Sequence, residues 1–454
     1  MFTDEELDAV IKAYDVRGLV DSQITPDFAF ALGAAFARFL QDEREPARVV
    51  IGEDMRPSSS ELAEAFADGL NSQGFDAIRI GLASTDMLYF ASGKLNLPGA
   101  MFTASHNPAA YNGMKLCKSA ARPIGKESGL IAIRNYMKDG VPLKLSQSGK
   151  TSEQDLLGDY GDFLLSLFDQ SAITAARPLK VVVDAGNGMA GYTAPAVLAK
   201  LNVEVIPMYF ELDGTFPNHE ANPIDPENLR DLQAKVREVG ADIGLAFDGD
   251  ADRCFLVDER GELVNPSALT ALIAVRELKR KPGSTIIYNL ISSKAVPEIV
   301  KENGGTAVRS RVGHSYIKKL MAETGAVFGG EHSGHFYFTD FWRADSGMLA
   351  ALFALSELGA SDKPLSALLA QYNRYVASSE INTQVADAQS SIARVKEQFA
   401  AYEMDEMDGL TVTAADWWFN LRPSNTEPLL RLNVEADTAE LMASKRDELL
   451  ALIR

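Results

Sequence analysis

Val49-Val50-Ile51-Gly52-Glu53-Asp54-Met55-Arg56-Pro57-Ser58 sets a short β-branched run directly ahead of a polar, proline-containing loop. Val and Ile suit a pleated surface, and an apolar run without alternation suits a strand covered on both faces. The segment beyond Pro57 reads as helix: Leu62, Phe66 and Leu70 make an apolar stripe, Ser58 and Glu61 are spaced for a capping box, and Gly74 ends the segment. The same order recurs in Val181-Val182-Val183 before Asp184-Ala185-Gly186-Asn187-Gly188, and in Thr285-Ile286-Ile287-Tyr288 before Asn289-Leu290-Ile291-Ser292-Ser293. Strands that alternate with helices predict mostly parallel sheets. Thr25-Pro26 reads as the N-cap and first residue of another helix, reaching about Gln41.

A chain of 454 residues is too long for one core. Three tandem α/β domains are expected at 1–148, 149–256 and 257–373, with a polar linker over Gly140–Ser152. Beyond Tyr372 the pattern changes. Ile381–Val385, Leu410–Thr413 and Leu429–Val434 read as strands around helical segments, with a closing helix from Thr438. That pattern predicts a smaller C-terminal α+β domain, 374–454, with an antiparallel sheet.

The composition, 46% hydrophobic and 24% charged, is that of a globular enzyme rather than a disordered chain. No apolar run approaches the length of a membrane span. The start, Met1-Phe2-Thr3-Asp4-Glu5-Glu6, lacks the basic-then-apolar order of a secretory signal, so a cytoplasmic location is expected. Two cysteines, Cys117 and Cys254, supply neither a disulfide framework nor a metal cluster. The net charge of −19 argues against nucleic acid or an anionic membrane as partner. An anionic small molecule must then be drawn in by a local concentration of Arg, Lys and backbone N–H groups.

Thr103-Ala104-Ser105-His106-Asn107-Pro108 follows the apolar run Gly99-Ala100-Met101-Phe102. A serine on a tight, Pro-ended loop at a strand's mouth can be held exposed and rigid, which suits a nucleophile or a phosphoryl carrier. Asp248-Gly249-Asp250-Ala251-Asp252-Arg253 follows the run Ile243–Phe247. Its three alternating carboxylates would repel one another without a cation, and hard oxygen donors favour Mg²⁺ or Ca²⁺ over zinc. An EF-hand loop is disfavoured because its sixth position, which needs Gly, is Arg253, and an Asp-nucleophile phosphatase loop because Asp252 stands where Thr is required. Mg²⁺ is the expected ion, and three protein ligands leave room for a phosphate oxygen, for instance on Ser105. Arg253 would lie beside it as a charge-neutralising donor. His106 beside Ser105 makes no triad and there is no Gly-x-Ser-x-Gly elbow, which disfavours a serine hydrolase.

Further along, Glu331-His332-Ser333-Gly334-His335 offers a carboxylate and a hydroxyl to neighbouring sugar hydroxyls, set against the plainer reading of a polar turn. Arg422-Pro423-Ser424-Asn425-Thr426-Glu427-Pro428, with Arg431 nearby, concentrates phosphate donors in one loop. Val312-Gly313-His314-Ser315 puts His314 at the start of a basic helix as a proton-transfer candidate. All five histidines stand in Gly-, Pro- or Ser-rich stretches. Lys115, in Tyr111-Asn112-Gly113-Met114-Lys115, is placed to meet a phosphate or a leaving oxygen, and Tyr14-Asp15-Val16-Arg17-Gly18 adds a further arginine on a turn.

Taken in order, TASHNP, DGDADR, GEHSGH and RPSNTEP resemble the signatures of the α-D-phosphohexomutases, in the phosphomannomutase/phosphoglucomutase branch. The resemblance covers nearly the whole chain. It implies four domains around a central cleft, each giving one loop, and a reversible phosphoryl shift between the 1 and 6 positions of a mannose or glucose phosphate. Ser105 would be the phosphoserine, and with Asp248, Asp250 and Asp252 it would hold Mg²⁺. Glu331 and Ser333 would read the sugar, while Arg422, Ser424, Asn425 and Thr426 would bind the distal phosphate, with Arg431 and Tyr14 as further substrate contacts. Arg17, Lys115, Arg253 and His314 match charged and proton-transfer positions near the reacting centre. Hexose 1,6-bisphosphate is implied as intermediate and activator, and a monomer or weak homodimer as the assembly. Two positions depart from the pattern: Glu53, where relatives carry a basic residue, and His332, where glucosamine-specific relatives show Gln. A phosphoglucosamine mutase is the alternative, followed by a metal-dependent sugar phosphatase. A binding protein that lost the chemistry would show a broken serine or aspartate loop, and both are intact.

Overall fold

The computed structural model describes residues 2–142, 148–168, 173, 177–423 and 429–453. Two compact units emerge, one running up to Val264 and taking in Ser333–Leu368, the other comprising Asn265–His332 and Leu369 onward.

The first sheet contains β1 (Val16–Leu19), β2 (Arg48–Glu53), β3 (Asp76–Leu82), β4 (Gly99–Phe102), β5 (Tyr111–Lys118), β6 (Arg122–Pro123) and β7 (Thr151–Glu153). Its order is β1-β5-β4-β2-β3-β7, with β6 on β5. β2 is parallel to both β3 and β4, and five of its six residues are buried, as the unalternated run predicts. The antiparallel partner of β4 is β5. The serine loop is therefore the tip of a hairpin. β7 lies parallel to β3, so residues expected in the linker extend the first sheet.

In the second sheet, β8 (Leu179–Asp184), β9 (Val203–Met208) and β10 (Ile243–Phe247) are parallel, and β11 (Cys254–Asp258) runs back beside β10. The aspartate loop is again a hairpin tip. In the second unit, β12 (Thr285–Asn289) is parallel to β13 (Thr306–Ser310) and β14 (Phe328–Gly330). Back in the first unit, β15 (Phe336–Phe338) and β16 (Ala344–Asp345) form an antiparallel pair. The C-terminal sheet is antiparallel: β17 (Val376–Ala377), β18 (Ile381–Gln384), β19 (Glu403–Asp405), β20 (Leu410–Thr413), β21 (Trp417–Pro423) and β22 (Leu429–Ala436). Its core gathers Val395, Phe399, Phe419, Leu432 and Leu449. The expected class holds, α/β with a smaller α+β end, and the first two sheets carry antiparallel strands on one side of a parallel core. No helix among the described residues is long and apolar enough to cross a membrane.

Two local expectations resolve differently. Thr25 caps the helix Pro26–Asp42 through its side chain, as read. Ser58 makes no side-chain cap on the helix Ser59–Asn71. Its hydroxyl instead accepts from Asn112 Nδ2 at 2.8 Å, a tertiary partner that displaces the local one.

One buried carboxylate ties three helices of the first unit together. Asp86, in the first turn of Thr85–Leu95, accepts from Tyr160 Oη at 2.8 Å and from Ser346 Oγ at 2.6 Å. Tyr160 lies in Leu157–Ser166, and Ser346 caps Gly347–Gly359. Burial pushes Asp86 up to about 6, against the lowering effect of the Ser346, Ser84 and Tyr160 hydroxyls. A carboxyl with a raised folded pKa contributes stability below its unfolded value and loses that contribution as pH rises through its folded value. The unfolding free energy of the wild type relative to Asp86→Asn is therefore expected to fall by about 2–3 kcal/mol between pH 4 and 7. Denaturant titrations of both proteins across that range measure it, and a difference independent of pH would refute it.

Candidate active site

Register places the first two cations. Arg17 on β1 stands opposite Gly113 on β5, and Lys115 follows two residues later on that strand. Arg17 and Lys115 therefore share a face of the sheet. Gly113 is required there, because a Cβ would meet the Val16 carbonyl oxygen at 2.2 Å.

Ser105 lies at the hairpin tip with φ of 50°. That left-handed backbone costs an L-residue of the order of 1 kcal/mol and persists only where surroundings impose it. Thr103 Oγ1 accepts from Ser105 N at 2.9 Å. Ser105 is buried rather than exposed, at 5% exposure. Its Oγ donates to Asp248 Oδ2 at 2.8 Å and lies 3.2 Å from His106 Nδ1. Burial, with Arg253, Arg17 and Lys115 nearby, holds His106 well below its usual pKa, so the imidazole is neutral.

The aspartate loop is buried throughout, and one oxygen from each of Asp248, Asp250 and Asp252 lies within 4.8 Å of the others. Lys115 Nζ donates to Asp250 Oδ2 at 2.7 Å and to Asp252 Oδ2 at 2.6 Å. Arg253 Nε donates to Asp248 Oδ2 at 2.9 Å. Burial opposes the charge on Lys115, but Asp250 and Asp252 hold it protonated above the usual lysine range. Burial likewise opposes the charge on Asp252, yet Lys115, His335 and Arg253 keep it well below the usual carboxylate range. For Asp248 burial wins and raises the pKa, despite Arg253. The Oδ1 of Asp250 is buried without a hydrogen-bond partner among the described residues, and that of Asp252 makes no hydrogen bond there but faces His335 Nε2 at 3.5 Å. Orphaned carboxylate oxygens beside a third carboxylate fit a hard divalent cation.

Residues that the sequence did not single out hold this loop. Thr85 donates through N to the Asp250 carbonyl at 2.9 Å and through Oγ1 to Asp250 Oδ2 at 2.6 Å. His335 Nε2 lies 3.5 Å from Asp252 Oδ1, while its Nδ1 is 3.1 Å from Ser333 Oγ. Ser333 thus reaches the aspartate loop through His335. Arg17 Nη1 donates to Asn107 Oδ1 at 2.6 Å, and Tyr14 is half-buried just ahead of β1.

In the second unit, the Glu331 carboxylate is buried and its Oε1 accepts from Gly313 N at 3.0 Å. This joins the Glu331 loop to the Gly313-His314 loop, which the sequence presented separately. His314 is the first residue of the helix His314–Thr324. Arg422 Nη2 donates to Glu380 Oε2 at 2.9 Å, and Arg431 Nη1 donates to Glu380 Oε1 at 3.4 Å. Glu380 was not anticipated, since it lies far from both arginines in sequence. Ser424, Asn425 and Thr426 fall outside the described residues.

The comparisons run in the same order as the loops. The phosphoglucomutase/phosphomannomutase alpha/beta/alpha domains I, II and III match residues 8–140, 158–261 and 265–375, and the C-terminal domain of that family matches 380–452. The chain belongs to the phosphoglucomutase/phosphomannomutase family of α-D-phosphohexomutases. An Escherichia coli phosphomannomutase is 40% identical over 456 residues, covering 98% of each chain. A Xanthomonas campestris pv. campestris protein named for phosphohexose mutases is 40% identical over 450 residues, again covering 98% of each. The crystal structure of a Burkholderia thailandensis member of the family superposes with a TM-score of 0.89 at 32% identity, covering 100% of this chain and 98% of the other. This phosphohexomutase is an isomerase acting on a sugar phosphate.

At Gly249 the aspartate loop packs closely against the serine loop. A Cβ there would lie 2.4 Å from the Ser105 carbonyl oxygen. Gly249→Ala is expected to displace the serine loop and lower mutase turnover by roughly a hundredfold with little change in melting temperature. Steady-state kinetics beside thermal unfolding checks this, and wild-type turnover would show that the close approach is dispensable.

Proposed function

We propose that the enzyme moves a phosphoryl group reversibly between the 1 and 6 positions of mannose and glucose phosphates, with Ser105 as the phosphoryl carrier. The observation that carries this reading is the Ser105 Oγ–Asp248 contact of 2.8 Å within a cluster of three buried carboxylates and two cations. Phospho-Ser105 donates to the free hydroxyl of the hexose phosphate, giving hexose 1,6-bisphosphate. The bisphosphate turns end for end, and its other phosphate returns to Ser105 Oγ. Asp248 takes up the Ser105 hydroxyl proton when Oγ accepts a phosphoryl group and returns it on the reverse step. Lys115, Arg253 and Arg17 offset charge on the transferring group. A Mg²⁺ ion held by Asp248, Asp250 and Asp252 would supply further neutralisation of the phosphoryl oxygens.

For the substrate, Glu331 and Ser333 are assigned to the sugar hydroxyls. Arg422, Arg431, Ser424, Asn425 and Thr426 are assigned to the distal phosphate, Tyr14 to a further substrate contact, and His314 to proton transfer at the sugar. Glu380 gives the two arginines a carboxylate that an incoming phosphate can replace, which supports an anion site.

Ser105→Ala is expected to reduce mutase turnover to background. Intact mass after incubation with glucose 1,6-bisphosphate is expected to show one added phosphoryl group on the wild type and none on the variant. Full turnover by the variant would sink the phosphoserine reading. Parallel assays on mannose 1-phosphate and glucose 1-phosphate resolve the sugar, and inorganic phosphate released as fast as isomerisation would favour a phosphatase instead. Chelation of divalent cations is expected to lower turnover by at least about a hundredfold, with Mg²⁺ restoring it. Undiminished turnover in chelator would remove the metal from the scheme.

A further inference from the structure

Arg56 is a buried cation without a task in the phosphoryl-transfer scheme. It sits on the loop after β2, and its side chain is 0% exposed. Its Nη1 donates to the carbonyl oxygens of Pro108 and Tyr111, both at 2.9 Å. Its Nη2 donates to those of Ser105 at 3.0 Å and Asn107 at 2.6 Å. Four carbonyls of a single loop thus converge on one guanidinium.

The rest of the residue is fixed as firmly. Nε faces Asp54 Oδ2 at 3.3 Å. Asp54 Oδ1 in turn accepts from Arg56 N at 3.0 Å and from Ser59 Oγ at 2.6 Å, which anchors it to the first turn of the next helix. The Phe216 ring covers the guanidinium, with its centroid 5.1 Å from Cζ.

Carbonyl oxygens turned toward a common point repel one another unless a donor sits between them, and an unpaired buried carbonyl is costly. A planar, permanently charged guanidinium offers the Nη–H groups that these four carbonyls take up, with Nε left to face the Asp54 carboxylate. An ammonium has three N–H groups and falls short. The convergence matters most at Ser105, whose left-handed φ of 50° needs external enforcement.

We propose that Arg56 is a positioning residue for phosphoryl transfer: by collecting the carbonyls of Ser105, Asn107, Pro108 and Tyr111, it imposes the backbone conformation that aims Ser105 Oγ at the aspartate loop. The proposal rests on the reading of Ser105 as the phosphoryl carrier. In the loading half-reaction, the bond from phosphorus to a sugar oxygen breaks and a bond to Ser105 Oγ forms. The serine proton leaves Oγ, and the freed sugar oxygen gains one. Arg56 touches none of these atoms, so its effect appears in the rate of transfer and not in substrate binding.

The test measures loading of dephosphorylated enzyme by glucose 1,6-bisphosphate, by quenched-flow intact mass, in wild type, Arg56→Lys and Arg56→Ala. Both variants are expected to load at least about a hundredfold more slowly, with the bisphosphate concentration for half-maximal rate unchanged within about threefold. Methylguanidine is expected to restore part of the rate to Arg56→Ala and none to Arg56→Lys, an outcome that general loosening of the fold would not produce. Phe216→Leu, which uncovers the guanidinium but keeps its hydrogen bonds, serves if the Arg56 variants do not fold, and is expected to slow loading several-fold at unchanged half-saturation. Loading at the wild-type rate in folded Arg56→Lys, or in Phe216→Leu should it be the only folded variant, would overturn the proposal. If the wild type itself never gains a phosphoryl group on Ser105, the carrier reading fails instead.

Discussion

Three carboxylates buried within 4.8 Å of one another are the constraint that the first unit is built around. Removing ionised groups from water costs several kcal/mol each, and like charges at this range add to the cost. Lys115 and Arg253 offset two of the three charges, which leaves one negative charge on the cluster if every group is ionised. The raised proton affinity of Asp248 lets the protein absorb that surplus. A phosphoryl group on Ser105 adds about two negative charges near neutral pH, which one divalent cation cancels. The balance is therefore the same with both present as with neither. A phosphoryl group alone would be opposed by the negative charge already there.

That constraint accounts for the hairpins. A parallel strand that leads into a helix points its loop toward a helix N-terminus, and the loop's second arm is then free to diverge. At β4–β5 and β10–β11 the chain turns back instead, so both arms of each reactive loop are clamped by a ladder of hydrogen bonds. The return strands also carry function: β5 brings Lys115 beneath the serine, and Arg253 ends the aspartate turn immediately before β11. Position within the sheet thus supplies the two counter-charges without any flexible segment.

Much of this was legible in the chain because the reactive loops are poor choices for folding alone. Three alternating aspartates at the end of an apolar run, or an arginine among hydroxyls and prolines, announce a ligand. The strands around them were readable from their β-branched runs. The features that the sequence concealed are partners chosen by tertiary distance. Arg56 is separated by 49 positions from Ser105 and 55 from Tyr111, and Lys115 by 135 from Asp250. No local pattern encodes those pairings. Ser58 shows the converse: a sound capping signal was overruled by an amide arriving from Asn112. A tight, Pro-ended loop at the mouth of a strand suggests an exposed Ser105, and the hydroxyl is buried with Asp248 as its partner.

The placement of that match also decides the chemistry. In a serine hydrolase the acid sits behind the imidazole, so that it stabilises the imidazolium formed as the serine is deprotonated. Here the acid contacts the serine itself, and His106 faces Arg253, Arg17 and Lys115 from a buried position. An imidazolium there would be repelled by three cations and stripped of water. His106 therefore has no means of holding the serine's proton. A neutral ester would meet a serine with no imidazole base behind it, and the surrounding positive charge would have little to act on. A phosphoryl group brings its own negative charge and passes through a loose transition state, so it gains most from well-placed cations and least from a strong base. The arrangement thus fits the phosphoryl-carrier role proposed for Ser105 better than that of a hydrolase nucleophile.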